Sequence, residues 1–424
     1  SAGHVRVYAV EYHASPPLPP PGLPFPPPGP APPPAPPPAP PAVPVASPSP
    51  PPPFHLAAAG YTPMGQDLDG EAANDNSGHS VALSADGSVV AVGAVYHDGN
   101  GNPDAGHARV YAWDAGTNQW AQRGPDFDGV EDYANWGWSV ALSADGTIVA
   151  IGAKRSDVSG KIDVGHVEVH KWDGGAWSQM GADVDGEASY DYGGYSVSLS
   201  ADGLVFAVGA ILNDGGGGNT GHVRVHAWDG AAWVQRGVDF DGASSAQIGM
   251  AVALSADGSV VAIGCPEGGG PGRARVHAWN GAAWSQRGQD LDGAVASDMA
   301  GSAVALSADG SVVAVGEPYY DVPERSTGRV RVYAYDDGTD QWALRGQEGI
   351  AGSDEYHYAG KAVAMSDGGT IVAFTESDGA QVHAWDGAAW QPVGSVIDPE
   401  APGDHSYDYM GSVAMSADGA VVAV

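Results

Sequence analysis

Two repeated patterns carry the residues that could do chemistry. The first is Asp-x-Asp-Gly, found at Asp67/Asp69, Asp126/Asp128, Asp183/Asp185, Asp239/Asp241 and Asp290/Asp292. Closely spaced carboxylates can share a divalent cation or grip a carbohydrate by its hydroxyls, and they also accept N–H groups in turns. The second pattern places His and Arg on one face of short alternating runs: His107/Arg109, His166/Glu168/His170, His222/Arg224/His226, Arg273/Arg275/His277 and Arg329/Arg331. Residues two apart share a face of a strand, which raises the question of a metal between His222 and His226. Repetition argues against special chemistry. Five near-copies of Asp-x-Asp-Gly, with Gln347-Glu348-Gly349-Ile350 in the sixth place, read as a turn into the next repeat. Most basic residues lie in the His/Arg runs or in Gln-Arg-Gly segments, so pairing with the repeated carboxylates is their expected use. No Gly-x-Ser-x-Gly, P-loop, His-Glu-x-x-His or paired-Cys motif is present. Gly215 to Gly218 lacks the strand-to-helix context of a phosphate site. No catalytic, metal or cofactor residue is assigned, and an enzyme is not expected.

The elements that must position these residues are short strands. Tyr195 to Gly242 reads as four of them: Ser196–Leu199, Val205–Val208, His222–Trp228 and Trp233–Arg236, separated by Ala-Asp-Gly, a Gly/Asn gap and Asp-Gly. Alternation bounded by Asp-Gly signals predicts antiparallel strands with tight turns. The Ala-Asp-Gly turn recurs at Asp86, Asp145, Asp202, Asp257, Asp309 and Asp418, with Ser366 to Gly369 as a variant. A third-strand Trp recurs as Trp113, Trp172, Trp228, Trp279 and Trp385, with Tyr335 and Val10 in the other places. A fourth-strand Trp recurs as Trp120, Trp177, Trp233, Trp284, Trp342 and Trp390. These eleven of thirteen tryptophans therefore read as packing between repeats. Seven four-stranded units at a spacing of about 50 to 60 residues predict an all-β, seven-bladed β-propeller of antiparallel blades.

Phrases such as GWSVALSADGTIVAIGA and GHVRVHAWDGAAWVQRG resemble FG-GAP repeats, the blade unit of the integrin α-subunit head, over nearly the whole chain. In its calcium-binding form that family carries several acidic ligands between the first two strands. Here that loop is only Ser-Ala-Asp-Gly, and one carboxylate cannot supply the six to eight oxygens calcium prefers. Calcium is therefore not supported, and no cofactor is expected.

One segment departs from the repeat. Between Ala14 and Pro53 lie 24 of the 34 prolines and no charged residue. Such runs lack amide donors and fix φ, leaving extended polyproline II, on the order of 120 Å for 40 residues. Ser49-Pro50-Pro51-Pro52-Pro53 resembles the Ser-(Pro)4 module of extensins, the hydroxyproline-rich wall glycoproteins. That resemblance implies hydroxylation or O-glycosylation at Ser49, Pro50, Pro51, Pro52 and Pro53, and more loosely at Pro32, Pro33, Pro34, Pro36, Pro37 and Pro38. The expected organisation is a strand at 1–12 that completes the last blade, a Pro-rich linker at 13–56 and the propeller at 57–424. The strand His4-Val5-Arg6-Val7-Tyr8 matches a third strand without its first two, whose counterparts stand at Tyr409 to Val424. A stiff rod resists folding back, so this strand is expected to fill the blade of a neighbouring unit, in a head-to-tail polymer.

Charge bounds the partners. With 17 basic and 51 acidic residues the net charge is −34, which disfavours nucleic acid. No apolar run is long enough to span a membrane. Cys265 alone excludes an internal disulfide and reads as a small buried residue. The expectation is an extracellular structural glycoprotein of a wall or filament, with itself and O-linked glycans as partners. The alternatives are an adhesive or carbohydrate-binding module using Tyr96 to Asp104 or Tyr319 to Ser326, and a polysaccharide-acting propeller enzyme.

Overall fold

The Ser-Ala-Asp-Gly turn is built by its own side chains. Ser84 Oγ and Ser88 Oγ each donate to Asp86 Oδ1 at 2.7 Å, the Ser88 N–H donates to the same oxygen, and the Val89 N–H donates to Ser84 Oγ. Ser143/Asp145, Ser200/Asp202, Ser255/Asp257, Ser307/Asp309 and Ser416/Asp418 repeat the Ser-to-Asp bond. Each turn then reaches its neighbour. The Ala85 N–H donates to Ala144 O, Ala144 to Ala201 O, Ala201 to Ala256 O and Ala256 to Ala308 O; Ala308 donates to Asp367 O, Asp367 to Ala417 O, and Ala417 back to Ala85 O, all at 2.8–2.9 Å. Seven bonds close a circle, and the circle is the axis of a seven-bladed propeller.

The computed structural model describes residues 2–10, 60–215, 217–242, 246–266, 270–321, 325–397 and 411–424. In blade one Ser77–Leu83, Val89–Ala94, His107–Asp114 and Gln119–Gln122 pair in that order, all antiparallel. Blades two to six repeat this order, beginning at Trp136, Gly193, Val252, Val304 and Val363. Only one short 3₁₀ turn, Gly99–Gly101, appears among the described residues. The second strands (Val89–Ala94 and its equivalents) are almost wholly buried, because neighbouring blades cover both faces.

Blade seven is closed within the chain. Its order is Ala414–Met415, Val421–Ala423, Val7–Val10, Tyr61–Pro63. Val7 stands opposite Ala423, Tyr8 opposite Val422 and Val10 opposite Tyr61, while His4–Val5 pairs with Leu68–Asp69. His4, Val5, Arg6, Val7 and Tyr8, expected to fill a neighbouring unit, here complete the chain's own seventh blade. The proposed modification sites, Ser49, Pro50, Pro51, Pro52, Pro53 and Pro32 to Pro38, lie outside the described residues.

Tryptophans join blades by a different route from simple packing. Each third-strand and fourth-strand pair touches within its own blade, as in Trp113–Trp120 at 5.2 Å and Trp172–Trp177 at 5.3 Å. The fourth-strand indole N–H then donates to the preceding blade: Trp120 to Met64 O, Trp177 to Arg123 O, Trp233 to Met180 O, Trp284 to Arg236 O, Trp342 to Arg287 O and Trp390 to Arg345 O. Tyr61 supplies the seventh link, its hydroxyl donating to Val393 O. The Gln-Arg-Gly arginines, and Arg345 of Leu344-Arg345-Gly346, do not pair mainly with carboxylates as expected. Arg123, Arg236, Arg287 and Arg345 donate to the turn carbonyls Gly146 O, Gly258 O, Gly310 O and Gly369 O of the next blade. Three of them also lie over an indole there, and Arg287 over Tyr335.

The turn glycines complete the inner contact. Gly146 has φ +63°, and a Cβ on it would stand 2.6 Å from Val89 of the blade before. Gly146→Ala should cost roughly 2–3 kcal/mol through left-handed strain plus overpacking. Gly174→Ala, also at positive φ but with open space around its absent Cβ, should cost only about 1–2 kcal/mol. Denaturant midpoints measure both, and equal losses would mean that the Gly–Val contact contributes nothing.

Candidate functional site

The two ends of the propeller differ. One carries the repeated Asp-Gly turns. The other carries the starts of the first strands, the ends of the second and the starts of the third. At that end the innermost strands of blades one to six share the phrase Gly-x-(Ser/Ala)-Val, in which the glycine has a positive φ at Gly78, Gly137, Gly194, Gly249, Gly301 and Gly360. The next residue takes six different types in seven blades: His79, Trp138, Tyr195, Met250, Ser302, Lys361 and Ser412. All seven are half-buried. They stand in or just before the strands nearest the axis, and two neighbouring pairs touch across blades: His79 and Trp138 rings are 4.2 Å apart, Trp138 and Tyr195 5.4 Å. This non-repeating ring is the candidate site.

Lys154 enters the ring from the loop after Ile148–Ala153. Its Nζ lies 2.7 Å from the centre of the Trp138 ring, 5.7 Å from Tyr195 and 6.0 Å from Tyr192. No hydrogen bond or ion pair to Nζ is seen among the described residues. Burial, with the Arg155 guanidinium as a second cause, pulls the ammonium down to about 7. His79 is held at about 4 by burial and then by Lys154, so it is neutral near pH 7, with Nδ1 3.3 Å from Asn76 Nδ2. The site therefore offers an amine that can take up a proton, a neutral imidazole and aromatic faces. Lys361 stands on the sixth innermost strand, its Nζ 4.9 Å from the Tyr358 ring.

Around the mouth the blade connections carry tyrosines in left-handed backbone: Tyr133, Tyr190, Tyr192, Tyr356 and Tyr358. Tyr133, Tyr190 and Tyr356 are exposed. The loops beginning at Tyr96 and Tyr319 lie at this end too, with Tyr319 packed edge-on against Tyr358 at 5.3 Å.

The residues singled out from the sequence sit further from the axis. Each Asp-x-Asp-Gly forms a two-residue strand on the head of its own blade's third strand, as Asp128 opposite His107 and Asp185 opposite His166. Its first carboxylate accepts side-chain donors more than backbone N–H: Asp67 from Arg6, Asp126 from Gln122, Asp290 from Arg273 and Arg275. His222 and His226 do not converge, because four residues of strand separate them by about 13 Å; His226 stacks on Phe206 instead. Cys265 is buried and in no disulfide.

Two departures from the repeat passed unnoticed in the sequence. Glu317 and Glu376 stand where Ala94, Ala153, Ala210 and Cys265 end the second strands of blades one to four. Glu317 is fully buried between Arg329, at 2.5 Å, and Arg331; burial raises its pKa and the two guanidiniums oppose this. Such a saturated carboxylate is a strut. Glu376 accepts the N–H and hydroxyl of Ser353, each at 3.0 Å. Ser353 Oγ is also 2.7 Å from His357 Nδ1, whose Nε2 is 3.3 Å from Asp378. This resembles a nucleophile relay, but Ser353 Oγ is shared between His357 and Glu376, and the group caps its loop, as Asp75 and Asp191 do elsewhere.

No protein-family model matches the chain, and no curated protein does. Solved structures do. A candidate 6-phosphogluconolactonase from Bacteroides uniformis aligns with TM-score 0.56 at 11% identity, covering 80% of this chain and 89% of that one. The periplasmic gluconolactonase of Pseudomonas aeruginosa gives 0.53 at 18%, covering 80% and 93%. A candidate 6-phosphogluconolactonase from Bacteroides fragilis gives 0.54 at 12%, covering 86% and 90%. The shared property is the propeller frame. The expectation of a non-enzymatic structural glycoprotein, assembled head-to-tail into a wall filament, is corrected by this finding: these three proteins of the same frame are named as lactonases, not as fibre units.

Buried histidines give the fold a definite acid limit. His79, His226, His277 and His383 are held at about 4, with burial the largest cause in each. Unfolded histidine titrates near 6.5. The folded state binds fewer protons, so stability is fully present above about 6.5 and falls as pH drops towards 4. Melting temperatures should fall steadily between pH 6.5 and 4.5, before most carboxylates titrate. The fall should be shallower in His383→Gln; a flat profile over that interval would contradict the assignment.

Proposed function

We propose that the chain is a lactonase-type hydrolase that opens a sugar lactone at the axial mouth, with Lys154 as general base. The observation that carries this reading is the Lys154 amine, laid against aromatic faces and held at about 7. A base poised near the working pH combines availability with driving force. The lactonase structures of the same frame support the reaction class.

In this mechanism the lactone ring lies against Trp138 and Tyr195. Lys154 Nζ takes a proton from water as the water oxygen attacks the lactone carbonyl. The tetrahedral oxyanion is countered by the cations of the mouth, Lys361 and Arg155. Collapse breaks the ring C–O bond, and the Lys154 ammonium returns its proton to the departing alkoxide, leaving a hydroxy acid. Atoms balance with water as the only co-substrate. A net charge of −34 repels anions at long range, so an uncharged lactone is preferred to its phosphate ester. The product is an anion, which the same field helps expel. One neighbour is periplasmic, and an extracytoplasmic location belongs to this reading.

The test is turnover of δ-gluconolactone and its 6-phosphate, followed by pH-stat above the spontaneous rate. kcat/KM should rise with pH through about 7 and then level, because the free amine is the active form. Lys154→Met and Lys154→Arg should each lose roughly 10²–10⁴-fold in kcat, since guanidinium does not deprotonate. No acceleration over buffer with either lactone, or full activity in Lys154→Arg, sinks the proposal.

A further inference from the structure

We propose that blade one binds a divalent transition-metal ion, of the zinc type, through Glu71, His97 and His107. One ligand atom from each of these residues lies within 4.8 Å of the others. Two imidazoles and a carboxylate suit a borderline ion such as Zn²⁺ rather than calcium or magnesium, which prefer all-oxygen shells.

Three observations build the site. His107 is 2% exposed and its Nδ1 has no hydrogen-bond partner, an unsatisfied buried nitrogen that a metal ligand explains. His97 has its two nitrogens assigned different work. Nδ1 lies 3.1 Å from the buried Asp75, while Nε2 faces Glu71 Oε2 at 3.5 Å. A carboxylate behind a histidine fixes the tautomer that leaves the other nitrogen free to ligate. Glu71 is likewise oriented: Arg109 approaches its Oε1 at 3.2 Å, leaving Oε2 turned towards His97. Ligand atoms around a tetrahedral zinc stand about 3.3 Å apart, close to the Glu71–His97 separation. Three protein ligands leave a fourth position for water.

Comparison between blades shows why this blade and not another. The positions of His97 in blades two and three hold Ser156 and Asn213. Asn213 Nδ2 donates to Asp191 at 3.0 Å, the same support that His97 Nδ1 gives Asp75. An amide therefore suffices for the fold, and the second nitrogen of His97 is surplus to it. Blade three also gathers Glu187, His222 and Asp239, but with one imidazole only.

The test uses the full chain, stripped with EDTA and dialysed, then titrated with Co²⁺ and Zn²⁺ chlorides in excess calcium to occupy the acidic surface. Co²⁺ should give a visible d–d band saturating at one equivalent, displaced by Zn²⁺, and Zn²⁺ should raise the melting temperature. His97→Asn copies blade three and should fold normally yet lose the band and the thermal shift; Glu71→Gln should weaken binding at least tenfold. The proposal is overturned if the wild type gives no band at millimolar Co²⁺, or if His97→Asn binds as the wild type does. Neither readout depends on lactone turnover.

Discussion

The circle of backbone bonds from Ala85 through Ala417 and back is the constraint on which the remaining architecture rests. A four-stranded antiparallel sheet of these residues has two apolar faces and cannot cover them alone. The circle sets each sheet edge-on to the axis at one spacing, so that every second strand is buried between neighbours. It demands the same backbone shape seven times, and Ser-Ala-Asp-Gly supplies that shape with its own hydrogen bonds. Asp367 shows what the ring reads: the blade-six turn departs in sequence, yet its N–H and C=O fill the same places. The ring recognises main chain and not side chain.

A circle must also be shut, and the seventh blade shows how. Its first two strands come from the end of the described chain, its last two from the beginning. At the rim a tyrosine hydroxyl, Tyr61, takes the place of six indole N–H groups and reaches Val393 O. Tyr8 packs edge-on to Tyr61 at 6.4 Å, standing in for a tryptophan pair. At the axis the Gly87 turn rests on Val421 as Gly146 rests on Val89. Inner and outer links therefore close independently, and a blade drawn from both ends of the sequence locks all seven. Arg6 paired with Asp67 at 2.9 Å adds a polar tie at the same seam.

What was legible in the sequence is what every blade shares. The Asp-Gly turns gave strand count and blade count, and the tryptophans marked the third and fourth strands. The arginines of Gln-Arg-Gly were misassigned because charge counting pairs them with Asp, whereas the fold offers them carbonyls and indole faces one blade away. The site was not legible for the opposite reason. A repeat reveals contacts common to all copies, while the axial ring is built at a position that the repeat leaves free to vary. His79 and Ser412 become neighbours only when the circle shuts. A signal did exist: Trp138 is one of two tryptophans outside the repeat positions, and it lies at the centre of the ring. Glu317 and Glu376 carried a similar signal, charged residues where other blades have alanine. No motif search finds such residues, because their partners lie in other repeats.

The tyrosines around the mouth sharpen the distinction between frame and site. The connections into the first strands of blades one, two, three, five and six each hold two residues in left-handed backbone, and the connection into blade one uses Asn74 and Asn76. Asparagine takes that conformation cheaply, whereas a residue with a bulky side chain strains there. Blade three uses Tyr190 and Tyr192, blade six Tyr356 and Tyr358, and blade two Tyr133 beside Asn135. The backbone would be served better by asparagine at all of them. Nor does burial repay the strain, since Tyr133 and Tyr190 are each 53% exposed and Tyr356 43%. Aromatic faces held out to solvent against local preference, on the end that bears Lys154 and Lys361, are strain placed where a ligand can use it. The opposite end, with its near-identical Asp-Gly turns, carries no such expense. The chain thus separates its tasks along the axis: sameness at one end holds the circle, and difference at the other is free to act.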